Sequence, residues 1–381
     1  MGDMDLVRPL GLAGIGCAVV ARPGGAPLYS RFARASLHWR DFWGGAEGLA
    51  DALVSFGAEQ PEPPVLFYEE DPQLLLVSRF RERLARVFRF VVADPTLVED
   101  LVDKGRFQAL AERHDLPVPA ARRISGGEAG AAPPELDLRF PVIVKPLTHR
   151  GWRRAISGSA KALQADTPEA LRALWPRLAA AGMDLLVQEL IPGPETRIES
   201  YHVYVDRRGD VVAEFTGRKI RTSPPSCGRS TALTITDAAD VAALGRAVVR
   251  KLGLRGVAKF DFKRDPEGRL HLLEINPRFN LWHHLGAVAG VNLPALVYAD
   301  MVGLARPAVR PARAGTCWCT LADDWRAARE SGVPLTTWLP WVLRCEVKSG
   351  MAWDDPMPFL RPRLSRLLRA RVGLRAAPQQ A

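Results

Sequence analysis

The chain has 381 residues, 47% of them hydrophobic and 25% charged, the composition of an ordinary soluble globular protein with two or three compact units. No apolar run reaches the length that spans a bilayer. Five cysteines (Cys17, Cys227, Cys317, Cys319 and Cys345) lack C-x-x-C spacing and a histidine cluster, so they read as free thiols of a reducing cytoplasm rather than a zinc set.

The net charge is +10, carried by 44 arginines and only eight lysines. The excess is scattered except for Arg361, Arg363, Arg366, Arg369, Arg371 and Arg375, which read as a solvated helix face. A basic surface leaves room for an anionic substrate. No recognition helix or aromatic platform points to nucleic acid.

Leu10 to Ala21 has the apolarity of a signal-peptide core. However, Asp3 and Asp5 precede it, Gly11, Gly14 and Gly16 interrupt it, and no small-x-small cleavage site follows. It reads instead as a helix end, a turn and a buried strand over residues 16–21. Residues 45–56 follow a helical pattern with Leu49, Leu53 and Val54 inward. Pro64 to Tyr68 reads as a second buried strand leaving into Glu69, Glu70 and Asp71, and residues 73–87 as another helix. This predicts a small α/β unit of parallel strands over residues 1–93. Asp71 would lie beyond a strand's carboxyl end, where ligands of such sheets sit. Only Met1 and Gly2 precede the first helical pattern, so an initial strand is expected to be truncated or mis-started.

Asp94-Pro95 opens a helical segment through Lys104 to His114, and Ser125 to Pro134 is a Pro/Gly/Ala-rich loop. A strand over 140–145 ends at Pro146. Thr167 caps a helix with Pro168 at its first position. Leu185 to Glu189 is a strand closed by Pro192-Gly193-Pro194. From Thr196 strands dominate, at 201–205, 211–218, 257–263 and 270–276, with one helix at 237–252. Residues 306–381 are Arg/Pro/Trp-rich and mostly helical, and no internal repeat is present.

Val257 to Lys263 alternates strictly, with Val257, Lys259, Asp261 and Lys263 on one face and Ala258, Phe260 and Phe262 on the other. A turn over 264–269 leads into Leu270 to Asn276. An antiparallel hairpin centred between Glu267 and Gly268 sets Asp261 opposite Glu274 and Lys259 opposite Asn276, all four on one face. Two carboxylates, an amide oxygen and a lysine on one patch suit Mg2+, which takes few hard oxygen ligands and completes its shell with phosphate oxygens. The plainer alternative is an exposed sheet face with ordinary ion pairs.

Asp261, twelve intervening residues, then Glu274-Ile-Asn276-Pro-Arg278 resembles the metal motif of the ATP-grasp superfamily. The resemblance spans residues 10 to 305 and is nearest to the carboxylate–amine ligase group, D-aspartate-ligase-like and carbamoyl-phosphate-synthase-like. It implies a pre-ATP-grasp α/β domain (1–93) and an ATP-grasp domain (94–305) with a small lobe near 118–190 and a large lobe near 191–305. Residues 306–381 form a C-terminal extension. The two lobes, mixed α/β and α+β, would grip ATP between them.

By the same resemblance, Lys104 and Lys145 are the nucleotide lysines, Lys145 at the α and β phosphates. Gln188, Glu189, Leu190 and Ile191 form the hinge that reads adenine, and Glu195 holds the ribose. Asp261, Glu274 and Asn276 hold two Mg2+ ions, for which Mn2+ can substitute. Lys259 and Arg278 face the γ-phosphate and the acyl phosphate. Singly, Lys145 reads as a solvated strand end and Glu195 as a loop carboxylate; their order and spacing together are what carry the likeness.

The chain departs from the family in the loop Leu147-Thr-His149-Arg150-Gly-Trp152, which has one glycine where a glycine-rich lid is usual. Gln188 stands where an acid is common. Gly217 to Arg221 and Ser223 to Thr231 resemble the acceptor-side loop, making Arg218, Lys219 and Arg221 candidates for gripping a substrate carboxylate or phosphate; surface charge is the equal alternative. Trp353-Asp354-Asp355-Pro356 resembles a segment of the same group.

These residues imply an ATP-dependent ligase that phosphorylates a small-molecule carboxylate and passes it to an amine, without a covalent protein nucleophile: no G-x-S-x-G or H-E-x-x-H is present, and Cys227 lacks a base. Alternatives are an ATP-grasp phosphotransferase with a hydroxyl acceptor and a catalytically weak ATP-binding protein. A cytoplasmic protein with no nucleic-acid or membrane partner is expected, and a homodimer is compatible with the sequence.

Overall fold

The computed structural model describes residues 4–39, 42–126, 133, 135–147, 162–225 and 228–371. The chain begins with α1 (Met4–Leu12), turns through Gly14 at φ 79°, and enters β1 (Cys17–Ala21). The apolar start is therefore helix, turn and strand. β1 pairs in parallel with β2 (Ala33–His38). That strand is largely exposed and has little apolar alternation, so no pattern marks it in advance.

After α2 (Phe42–Ala58), the expected strand Pro64–Tyr68 makes only one bridge, Val65 to Arg89. Pro63 and Pro64 remove two backbone donors that a ladder needs. The segment is held instead by Tyr68, whose hydroxyl donates to the Val91 carbonyl at 2.7 Å. The helix expected at 73–87 is two, α3 (Asp71–Arg79) and α4 (Arg81–Leu84), broken at Phe80.

The segment from Asp94 to His114 is likewise two helices. Asp94 caps α5 (Pro95–Val102), and Asp103 accepts from the Gly105 and Arg106 amides to cap α6 (Lys104–Arg113). The break sets Lys104 at the first position of a new helix.

Four antiparallel strands follow: β3 (Ala121–Ile124), β4 (Val142–Pro146), β5 (Leu163–Ala165) and β6 (Leu185–Glu189), in the order β3-β6-β4-β5. Helix α7 (Pro168–Ala180) packs Trp175 into their core with Val142, Val144 and Val187.

The larger sheet is built from β7 (Ile198–Val205), β8 (Val211–Ser223), β9 (Arg229–Thr236), β10 (Gly256–Arg264) and β11 (Leu270–Asn276). Of the segments read as an acceptor-side loop, Gly217 to Arg221, Ser223 and Arg229 to Thr231 lie in β8 and β9. Helix α8 (Ala239–Leu252) covers one face, against Tyr201, Val203, Phe260 and Phe262. Helices α9 (Trp282–Val288) and α10 (Leu293–Val302) cover the other, with Trp282 against Phe215.

The C-terminal residues join this sheet. β12 (Cys317–Cys319) pairs with β9, and β13 (Val347–Lys348) pairs with β12, giving seven strands in the order β11-β10-β7-β8-β9-β12-β13. Helices α11 (Leu321–Glu330), α12 (Leu335–Arg344) and α13 (Met357–Arg371) complete the chain. Asp355 ties this region to the N-terminal unit by accepting from the Ser30 hydroxyl at 2.5 Å and the Arg31 amide at 3.0 Å. Asp354 accepts from Arg8 and Arg31, each at 2.9 Å.

Candidate active site

Strands β10 and β11 bring the acidic set together in the register that alternation requires: Asp261 opposes Glu274, and Lys259 opposes Asn276. Toward the turn, however, Phe262 faces Leu272 and Lys263 faces His271, so a bulge between Asp261 and Phe262 absorbs one residue. The hairpin is therefore not symmetric about its turn.

Asp261 is 4% exposed. One oxygen accepts from the Ser200 hydroxyl at 2.5 Å and the other from the Lys259 ammonium at 2.5 Å. Burial pushes its carboxyl up, but Lys259 and Lys219 outweigh burial and hold it well below the usual carboxylate range. Ser200 lies on β7 directly opposite Asp261 and is fully buried. It was missed because a serine inside an apolar strand carries no signature until the β7–β10 register is known.

Glu274 is exposed and accepts from the Asn276 amide at 3.1 Å. Arg278 donates to the Asn276 side-chain oxygen at 3.0 Å, to Asp71 at 2.5 Å and to the Glu69 carbonyl at 2.8 Å. Asp71, at the start of α3, thus links the N-terminal unit to the end of the hairpin.

From the smaller sheet, Lys145 donates to the Gln188 side chain at 2.8 Å, and Lys104 donates to the Pro146 carbonyl at 2.9 Å. Burial, and then the neighbouring Lys145, pull Lys104 down to about 8, while Glu274, Asp71 and Asp103 pull it back up. Lys104 is thus within electrostatic reach of Glu274 on the larger sheet and of Lys145 on the smaller one.

Glu189 points to the opposite side of β6 from Gln188. Its carboxylate is taken by the Arg139 backbone amide at 2.9 Å and by the Arg139 guanidinium at 2.8 Å. At this hinge the Leu190 amide donates to the Pro141 carbonyl at 2.9 Å. Ile191 is buried and Glu195 half-buried, the latter 3.7 Å from Lys219.

The three basic candidates on β8 separate. Lys219 shares the face of Ser200 and Asp261. Arg218 opposes Glu199, on the other face, and is exposed. Arg221 is committed elsewhere: two of its nitrogens bind Asp324 at 2.8 and 2.7 Å, and its guanidinium lies 4.3 Å over the Trp341 ring. Register shifts between Lys219 and Arg221 and between Arg221 and Thr222 break the alternation that would have kept Arg221 beside Lys219.

Two histidines complete the floor. His202 opposes Lys259 and stacks on Phe215 at 4.5 Å, and His283 lies 6.4 Å from it. Both are fully buried, with no partner for either ring nitrogen among the described residues. Burial lowers His202 well below the ordinary histidine range and His283 to about 3, so both are neutral. His149, Arg150 and Cys227 lie outside the described residues.

No group of three His, Cys, Asp or Glu that could close around a metal occurs among the described residues. Two carboxylates, Asp261 buried and Glu274 exposed, and one amide oxygen on one face fit Mg2+ whose remaining ligands are phosphate oxygens. Lys259 supplies the positive charge that the buried Asp261 carboxylate requires.

A family profile described as ATP-grasp in the biosynthetic pathway with Ter operon matches residues 182–319. D-aspartate ligase of Enterococcus faecium is 28% identical over 235 residues, 60% of this chain and 56% of that protein. The chain thus spans little more than half the length of that relative. Among solved structures, an ADP complex of N5-carboxyaminoimidazole ribonucleotide synthetase superposes with a TM-score of 0.61 at 12% identity, covering 82% of this chain and 76% of that one. L-amino acid ligase from Bacillus licheniformis gives 0.59 at 15% identity, covering 81% and 75%. The chain has the ATP-grasp fold of these structures and is similar in sequence to an ATP-grasp profile and to a carboxylate–amine ligase.

Proposed function

We propose that the chain joins a small-molecule carboxylate to an amine, using ATP to form an acyl phosphate and releasing ADP and phosphate. The observation that carries this reading is the convergence of Asp261, Glu274, Asn276, Lys259 and Arg278 at one end of the hairpin, with Lys104 on α6 in electrostatic reach of Glu274 and of Lys145. The ligase relatives supply the reaction class.

In this reading Lys145 and Lys104 bind the triphosphate. The Gln188–Ile191 hinge holds adenine: the Glu189 side chain and the Leu190 amide are engaged within the protein, while no described residue accepts the Ile191 amide. Glu195 takes the ribose. Asp261, Glu274 and Asn276 hold Mg2+, which when bound neutralises phosphate charge as the γ-phosphoryl group leaves. Lys259 moves its charge from Asp261 to the γ-phosphate, and Arg278 orients the acyl phosphate. Lys219, held between Glu195 and Asp261, joins this phosphate-facing set, and Arg218 stays outside it. Catalysis is positioning plus charge stabilisation.

The test is a screen of carboxylate and amine pairs for ADP release, repeated with Glu274→Gln. Turnover that requires both partners and falls by about 10²–10³-fold in the variant supports the reading. ADP release with a hydroxyl acceptor and no amine would make the protein a kinase. Full turnover of Glu274→Gln would remove the metal assignment.

A further inference from the structure

Helix α13 carries an apolar stripe on its solvent side. Its first turns rest on the N-terminal unit beside residues 26–29, burying Pro358, while Met357, Leu360 and Leu364 face solvent at 38%, 42% and 52% exposure. Positions 357, 360 and 364 form one stripe at helical spacing. Arg361 and Arg363 are exposed on its two flanks, Arg363 lying over the Phe359 ring. Trp353, just before the helix, is 91% exposed, although Asp354 and Asp355 beside it are anchored to Arg8, Arg31 and Ser30.

A soluble helix ordinarily turns such a stripe inward, and exposed apolar stripes mark a partner. Residues 356–371 hold five arginines and no acidic residue, so the partner that complements them is anionic. Leucines between flanking arginines, with a tryptophan at the edge, match the depth profile of a bilayer surface: apolar groups reach the acyl boundary, guanidinium groups stay at the headgroups, and indole sits between.

We propose that α13 and Trp353 dock the protein on an anionic membrane surface. No spanning segment is needed for this. Among the described residues no single helix is long and apolar enough to cross a membrane, and the bent pair α9–α10 that passes by composition is core. The expectation of no membrane partner rested on spanning length alone, which a surface-lying helix does not require.

The experiment is co-sedimentation of the full chain with phosphatidylcholine vesicles, with and without phosphatidylglycerol. The wild type should pellet with the anionic vesicles and remain in solution with the neutral ones. Leu360→Ser/Leu364→Ser and, separately, Arg361→Glu/Arg363→Glu should each lower partitioning by at least about tenfold, with the thermal unfolding midpoint unchanged. Trp353→Phe should remove a vesicle-induced blue shift of the emission. Equal pelleting with both vesicle types, or by all variants, overturns the proposal. So does a wild-type dimer on gel filtration that the leucine variant dissociates, because the stripe would then be a contact between copies of this chain.

Discussion

Lys104 shows how the fold alters a single side chain. Its ammonium is depressed to about 8 by burial and Lys145, whereas an unfolded lysine keeps its proton to near 10.5. The group therefore favours the folded free protein above 10.5 and loses that contribution as pH falls through about 8. In the proposed site nucleotide binding runs the other way, since phosphates need the ammonium. Mg-ADP affinity should weaken as pH rises past about 8, approaching tenfold per unit, with proton uptake on binding in calorimetric titrations run in two buffers. Lys104→Met should bind weakly and lose this pH dependence.

Arg221 and Lys219 make a sharper contrast, because the sequence offered them as equals. Asp324 is fully buried and accepts from Arg221, Thr231 at 2.9 Å and Trp338 at 2.8 Å. Arg221→Ala leaves that carboxylate short of its charge partner and should cost about 3–5 kcal/mol in urea unfolding. Lys219→Ala leaves Lys259 on Asp261, so it should cost less stability than Arg221→Ala and lower turnover instead. Alternation along β10 and β11 made Lys259, Asp261, Glu274 and Asn276 legible. The same rule failed on β8, where two bulges follow Lys219, and bulges leave little trace in side-chain pattern.

At the scale of elements, β10 and β11 with their alternation, β6 as a short apolar run closed by proline, and α7 and α8 with their helical periodicity lie where the pattern put them. β2 was invisible because it is edge-like and exposed, and β12 because three residues carry no period. The packing of α9 on the site face could not be read at all. It depends on Gly217, where a Cβ would overlap the Trp282 ring. Gly217→Ala should cost about 1–3 kcal/mol by overpacking. Because α9 follows directly from Asn276 and Arg278, turnover should fall with it, which thermal melts and steady-state rates would show together.

For the whole molecule, the order of motifs along the chain was enough to indicate the ATP-grasp fold, since those motifs sit on regular strands. The way residues 306–381 bind the rest was not legible. Contacts such as Ser30 to Asp355 and Trp318 to Asp5, at 2.5 and 3.0 Å, join residues more than three hundred positions apart, and nothing local announces them. They make the large sheet, the N-terminal unit and the chain's end one packed body, against which Lys104, Lys145 and the acidic hairpin are set.

Binding tests that hairpin as a metal–nucleotide site most directly, without knowledge of the substrates. Free Mn2+ is followed by electron paramagnetic resonance as protein is added with and without ADP. The wild type should take up Mn2+ strongly only when ADP is present, because the protein alone offers too few ligands, and Glu274→Gln should weaken that uptake by at least about tenfold. Uptake independent of ADP, or undiminished in Glu274→Gln, would contradict the account.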